Sequence, residues 1–427
     1  LAIKPDIQVL INIHITGSQP TENYDDLGCP GGINKDSRGD YYDLAFHTDS
    51  RFALKVHTVM FYPLEGPANV YNQKTFSHKL CLMQKASAAG RPIDYFPEGS
   101  WWLSFDNPIP VYLPIYIWSR GRDIELLKPL LKSRGTGTLK GHRMFNSGQE
   151  WGYWQQDYAV GLWHWNADVS FAEVLGEMFD PFCAAEELGK GCEARSEAVT
   201  VMTEYMAHQR KYFLNKEDYR GVAGGIFAYF SGEDPAEEIG AKTGLSFQLV
   251  RVAFSEVNRW SQIQLDHFKA TDLAVLKKME DDHAAWLGRL EALKSKIPSA
   301  GKTWLAEVID GIEINLLRAR QTHALYSAVI AYREAILAAG DDLEKGAAAG
   351  TLAAEADWER AVQTLSDAEV VIRRREGAYR YPAAQVYGGG VTPETAVPNG
   401  TTYPWRVHTK THLLSYWKNR HEQVKGL

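Results

Sequence analysis

Two carboxylates in this chain stand beside paired tryptophans. Glu98 lies in Tyr95-Phe96-Pro97-Glu98-Gly99-Ser100-Trp101-Trp102, and Glu150 in Asn146-Ser147-Gly148-Gln149-Glu150-Trp151-Gly152-Tyr153-Trp154. A carboxylate held against indole rings loses hydration, which disfavours its charged form and tunes it for proton transfer. Two carboxylates flanking one bond are what glycoside hydrolysis requires. One protonates the leaving oxygen, and the other activates water or attacks the anomeric carbon. Flat aromatic faces also suit sugar rings, and seven of the 13 tryptophans fall between residues 101 and 165. The pattern points to a carbohydrate-processing site with Glu98 and Glu150 as its catalytic pair. Trp101, Trp102, Trp151 and Trp154 would be sugar platforms, and Asn146 and Gln149 would hydrogen-bond hydroxyls. Asp157 is a further contact candidate. Asp106, in Asp106-Asn107-Pro108, sits in turn chemistry that could also touch substrate.

Strands must carry these groups. Strand-like runs occur at 7–14, 53–62, 92–97, 111–118 and 142–147, with helical segments such as 73–89 and 119–132 between some of them. Strand, helix, strand at this spacing implies a parallel sheet whose functional groups gather at the carboxyl ends of the strands. Those ends are His14, His57 to Tyr62, Glu98 and Glu150, so His14, His57 and Tyr62 join the candidate substrate-binding residues. Histidines at strand ends can ligate metal. No HxH, HExxH or neighbouring cysteine accompanies them here, so they read as site-lining residues, with no metal and no cofactor expected. Segment 17–50, rich in glycine and with six aspartates, is long enough to act as a lid.

Four or five strands do not complete an eight-stranded barrel. Residues 1–165 are therefore expected to form a partial or complete (β/α) barrel-like domain, with an earlier segment or a second chain completing it. Beyond residue 166 apolar residues recur at i, i+3 and i+4, over 196–215, 246–298, 302–339 and 353–378. Residues 166–427 are thus expected to be a mainly helical domain, a bundle of long antiparallel helices stopped at Gly340-Asp341-Asp342. Trp260, Trp286, Trp304 and Trp358 fall on apolar stripes and read as core. Arg373-Arg374-Arg375 reads as a solvated helix face. Cys183 and Cys192 flank a short loop, where a disulfide and two free thiols fit equally.

Composition narrows the class. A hydrophobic fraction of 45% with 23% charged residues is that of a globular protein. A net charge of −7 without a long basic run argues against nucleic acid as the main partner. No apolar run reaches the length of a membrane span. The chain starts at Leu1 and is already strand-like by Ile7, so either a processed N-terminus or a missing earlier segment is expected. Processing would fit a periplasmic or secreted protein.

The layout resembles glycoside hydrolases that join a (β/α)8 barrel to a C-terminal helical domain, such as bacterial α-glucuronidases and O-GlcNAcase-like hexosaminidases. Tyr95-Phe96-Pro97-Glu98, Glu150-Trp151-Gly152-Tyr153-Trp154 and the change to helices after 166 carry the resemblance. It implies an oligosaccharide or polysaccharide substrate. Two other readings stand beside it. One is a non-catalytic glycan-binding or assembly protein that uses the aromatic cleft. The other is a metal-dependent hydrolase built on His14 and His57.

Overall fold

The computed structural model describes residues 7, 9–14, 20–25, 27, 29, 38–68, 75–100, 110–132, 139–145, 151–187, 191–214, 226, 229, 251–379 and 414–427. The first strand, β1 (Leu10–Ile13), is followed by an antiparallel pair, β2 (Pro20–Asp25) and β3 (Arg38–Asp40). Then come β4 (Ala53–Thr58), β5 (Ile93–Pro97) and β6 (Leu139–His142). Strands β1, β4, β5 and β6 form one parallel sheet, side by side in chain order with no reversal. Single bridges from Glu98 to Phe145 and from Tyr112 to Trp151 continue parallel pairing past the strand ends. Among the described residues the parallel sheet has four strands, so of the partial or complete barrel expected, a full one is not shown.

Alternation along the strands explains the two faces. Leu54, Val56, Ile93 and Tyr95 are fully buried and lie in register on one face. They share a core with residues of α1 (Ser77–Ala88) and α2 (Ile115–Lys132). Burying each such side chain is worth about 1.5–3 kcal/mol, which fixes the register. The other face carries Lys55, His57 and Asp94 with Phe96, a mostly polar set that no aliphatic core would select.

Several expectations for this half change. The run 111–118 is not a strand: residue 112 makes one bridge, and α2 begins at Ile115, directly after Pro114. Residues 111–117 are buried, and a short buried apolar run looks alike in a strand and in a helix. The strand expected at 142–147 lies earlier, at Leu139–His142. Segment 17–50 is not all loop. It holds β2, β3 and the 3-10 turn Tyr41–His47, and Cys29 is bridged to Cys81 of α1.

Nine described helices follow the sheet strands or pack among them. They are α3 (Tyr153–Trp165), α4 (Phe171–Met178), α5 (Glu193–Gln209), α6 (Phe254–Val257), α7 (Gln262–Phe268), α8 (Ala274–Glu291), α9 (Ser299–Ala339), α10 (Leu343–Tyr379) and α11 (Ser415–Lys425). Ser170 and Glu173 close a capping box at the start of α4. Helix α9, about 60 Å long at 1.5 Å per residue, ends at Gly340, whose φ of +60° a glycine adopts freely. Helix α10 runs back along it, pairing Glu307 with Arg375 and Asp310 with Arg374. Cys183 and Cys192 are bridged.

Two apolar cores result, and each crosses residue 165. One joins the sheet's buried face to Phe213, Leu276, Leu325 and Tyr326. The other joins Tyr112, Trp151 and Trp163 to Tyr205, Trp286 and Ile312. Asn315 of α9 clamps the backbone of Tyr112 from both sides, accepting from its N–H at 3.2 Å and donating to its carbonyl at 2.7 Å. The helices thus hold the loops that leave the sheet.

Candidate functional site

Three strands deliver one side chain each to a common place. His14 follows the last residue of β1, His57 is next to last in β4, and Glu98 follows β5. Nitrogen and oxygen atoms of the three lie within 4.8 Å of one another. Glu98 and His57 are buried, whereas His14 is exposed and stacks its ring on His57 with centroids 4.6 Å apart. The trio therefore forms a floor open on one side.

Each buried member is fixed by backbone. The Nδ1 of His57 lies 2.9 Å from the Phe96 carbonyl. A carbonyl only accepts, so Nδ1 carries the proton and donates. Glu98 Oε2 accepts the N–H of Met60 at 2.6 Å. Met60 has a φ of +55°, a conformation disfavoured for a residue with a side chain. Such strain persists where surrounding structure over-determines it, and here it aims an N–H at the carboxylate. The free edges then meet: His57 Nε2 lies 3.4 Å from Glu98 Oε1.

A buried network holds the loop that carries Met60. The Tyr95 hydroxyl donates to Asp123 at 2.7 Å, the Leu64 N–H donates to the same carboxylate at 2.7 Å, and Arg120 pairs with it at 3.3 Å. Burial raises the pKa of both Asp123 and Tyr95 above their ordinary values. Arg120 also donates to the Tyr62 carbonyl at 2.9 Å, and Ser119 to that of Phe61. These bonds run from α2 to residues 61–64, directly after Met60.

The wall beside the trio is aromatic and cationic. Phe96 stacks with Phe145, whose side chain is exposed, and Lys55 sits over the Phe96 ring at 3.4 Å. Asp94, buried on the same face, pairs with Arg143 at 3.0 Å. Lys55, Met60, Phe96 and Phe145 were not among the candidates from sequence. Period-two reading of β4 and β5 carries their signal, since it puts Lys55, His57 and Phe96 on one face.

The structure brings Glu98, His14 and His57 together. Trp101, Trp102, Asp106, Asn146, Gln149 and Glu150 lie outside the described residues. Trp151 is 2% exposed, with the Arg375 guanidinium 4.3 Å from its ring centre. Tyr62 is fully buried, edge-on to Phe76. Both rings fill the core, where a bulky aromatic gains most by burial. Trp154, half-buried, meets Trp304 edge-on at 4.2 Å, and Asp157 is half-buried on α3. One contact links this helix to the trio: Gln156 of α3 donates to the carbonyl of Gly99, next to Glu98.

No known protein family matches this chain. No curated protein matches it either. Among solved structures it is similar to a GH138 enzyme targeting pectin rhamnogalacturonan II. The TM-score is 0.45 and the identity 11%, over 90% of this chain and 53% of that one. The chain thus spans about half the length of that enzyme. No described helix is long and apolar enough to cross a membrane.

Proposed function

We propose that this chain is a carbohydrate-active hydrolase that cleaves glycosidic bonds with two carboxylates, Glu98 and Glu150. The observation that carries the reading is the setting of Glu98. It is a carboxylate only 4% exposed, at the carboxyl end of a parallel strand, held by a strained backbone N–H and faced by an imidazole. What sets it apart from the buried acids of the helices is that a backbone N–H and an imidazole edge, rather than a guanidinium, meet its oxygens. Phe96 and Phe145 offer the aromatic faces beside it, and Trp101, Trp102, Trp154, Asn146, Gln149 and Asp157 would extend the sugar contacts.

Glu98, oriented as an acceptor, serves as base or nucleophile. Glu150 supplies the proton to the leaving oxygen. The link from Gln156 to Gly99 supports the pairing, because it ties the segment after Glu150 to the loop of Glu98. Two disulfides suit an oxidising compartment, which favours export.

The test is release of reducing ends from a panel of oligosaccharides by the wild type, Glu98→Gln and Glu150→Gln. Each variant is expected to lose about 10²–10⁴-fold. Wild-type rates in both variants would refute the assignment. A wild type that binds glycans without cutting any would make the chain a binding protein instead.

A further inference from the structure

The facing edges of His57 and Glu98 raise a question of chemistry that hydrolysis by two carboxylates does not answer. The Nδ1 of His57 donates to the Phe96 carbonyl, so in the neutral ring Nε2 carries a lone pair. Nε2 lies 3.4 Å from Glu98 Oε1, a second acceptor. Two buried acceptors repel unless something positive lies between them. His57 Nε2 is buried and, among the described residues, makes no hydrogen bond. A proton shared there would draw the pair into a charge-assisted bond of about 2.7–2.9 Å. The observed 3.4 Å is too long for that. It matches the edge of a tetrahedron of ligands around a cation with bonds of about 2.0–2.1 Å.

We propose that Glu98 Oε1, His57 Nε2 and a ring nitrogen of His14 bind one first-row divalent cation of the zinc type. Two imidazoles and a carboxylate are ligands such cations accept, and three protein ligands leave a position for water or substrate. The three atoms already lie within 4.8 Å of one another, so a small closing movement of exposed His14 completes the set. Each buried ligand has the outer hydrogen bond that ligating groups carry: His57 to the Phe96 carbonyl, and Glu98 from the Met60 N–H. Among the described residues, the neighbouring cations are engaged elsewhere. Arg143 is engaged by Asp94, Arg120 by Asp123, and Lys55 lies over Phe96. While it binds the cation Glu98 would not be free to act as base or nucleophile, so this site competes with the two-carboxylate reading, and its readout is binding rather than cleavage.

The experiment uses the full chain with its disulfides intact, stripped with chelator and titrated with Zn²⁺ by calorimetry, and with Co²⁺ by visible absorption. One cation per chain is expected, with a Co²⁺ spectrum of nitrogen and oxygen ligation. His14→Ala and Glu98→Gln should each weaken binding by at least about tenfold. His267→Ala, at an exposed position on α7, should titrate as wild type. Because His14 is exposed, His14→Ala should keep the wild-type fold, checked by circular dichroism. Absence of stoichiometric binding in the wild type would overturn the proposal. So would His14→Ala and Glu98→Gln both titrating like the wild type.

Discussion

Between α9 and α10, Glu307 and Arg375 are each 2–3% exposed and meet at 2.9 Å, while Glu280 is gripped by both Arg320 and Arg360. Each carboxylate there meets a guanidinium in good geometry. At the strand ends Glu98, equally buried, meets an imidazole edge at 3.4 Å and a strained N–H. The helical pairs close charge against charge at short range. The strand-end pair is set by backbone contacts, and among the described residues no hydrogen bond joins its inner edges. Burial alone therefore does not mark function in this molecule, and the way a buried charge is satisfied does.

The largest effect that would break this contrast is on turnover. Glu98→Gln keeps the volume and the Met60 contact, so it should cost about 10²–10⁴-fold in glycan cleavage. Its urea midpoint should stay near wild type. Glu307→Gln should do the reverse. It removes the carboxylate that pairs with the buried Arg375 guanidinium at 2.9 Å, at about 3–5 kcal/mol of stability by urea unfolding.

The two disulfides sharpen the comparison in the same currency. Cys29 and Cys81 close a separation of 52 residues beside the sheet, and Cys183 and Cys192 one of 9 in the helical part. Chain entropy gives about 4 kcal/mol for the first and about 3 kcal/mol for the second. Paired Cys→Ser variants should rank in that order in denaturant.

Acid should act chiefly on the helices. Burial lowers the pKa of His283 and of His323 and His421 to about 4 each, from 6.5. Below pH 6.5 the unfolded chain takes up protons that the folded chain refuses. Stability is therefore full above pH 6.5 and is lost as pH falls toward 4, by up to about 3 kcal/mol for fully buried His283. Asp310, pushed up to about 6 by burial, works the other way and offsets part of this. Urea midpoints between pH 7 and 5 measure the slope, and His283→Gln should flatten it. An unchanged slope in His283→Gln would remove that histidine from the account.

Much of this arrangement was legible from sequence. The strands at 53–58 and 93–97 and the gathering of His14, His57 and Glu98 at strand ends follow from β-branched runs and strand polarity. The helix stop at Gly340 follows from its missing side chain. Other features depend on partners remote in the chain. Arg374 and Arg375 look like a solvated face until α10 folds back on α9 and meets Asp310 and Glu307. Only the first turn of the helix at 115–132 escapes the sequence reading, because that turn is buried all round, while the rest is expected at 119–132. Pairing of Cys29 with Cys81 needs the turn-rich segment to reach α1, which spacing does not reveal. The closeness of three ligating atoms comes from register, a tertiary property that no local motif records.

The claim that the open-edged pair is functional and the closed pairs are structural meets its most direct test in one measurement. Release of reducing ends per folded molecule is compared between Glu98→Gln and Glu307→Gln on the same oligosaccharide. The account predicts a loss of at least about 100-fold for Glu98→Gln and a wild-type rate for Glu307→Gln. A wild-type rate in Glu98→Gln would contradict it.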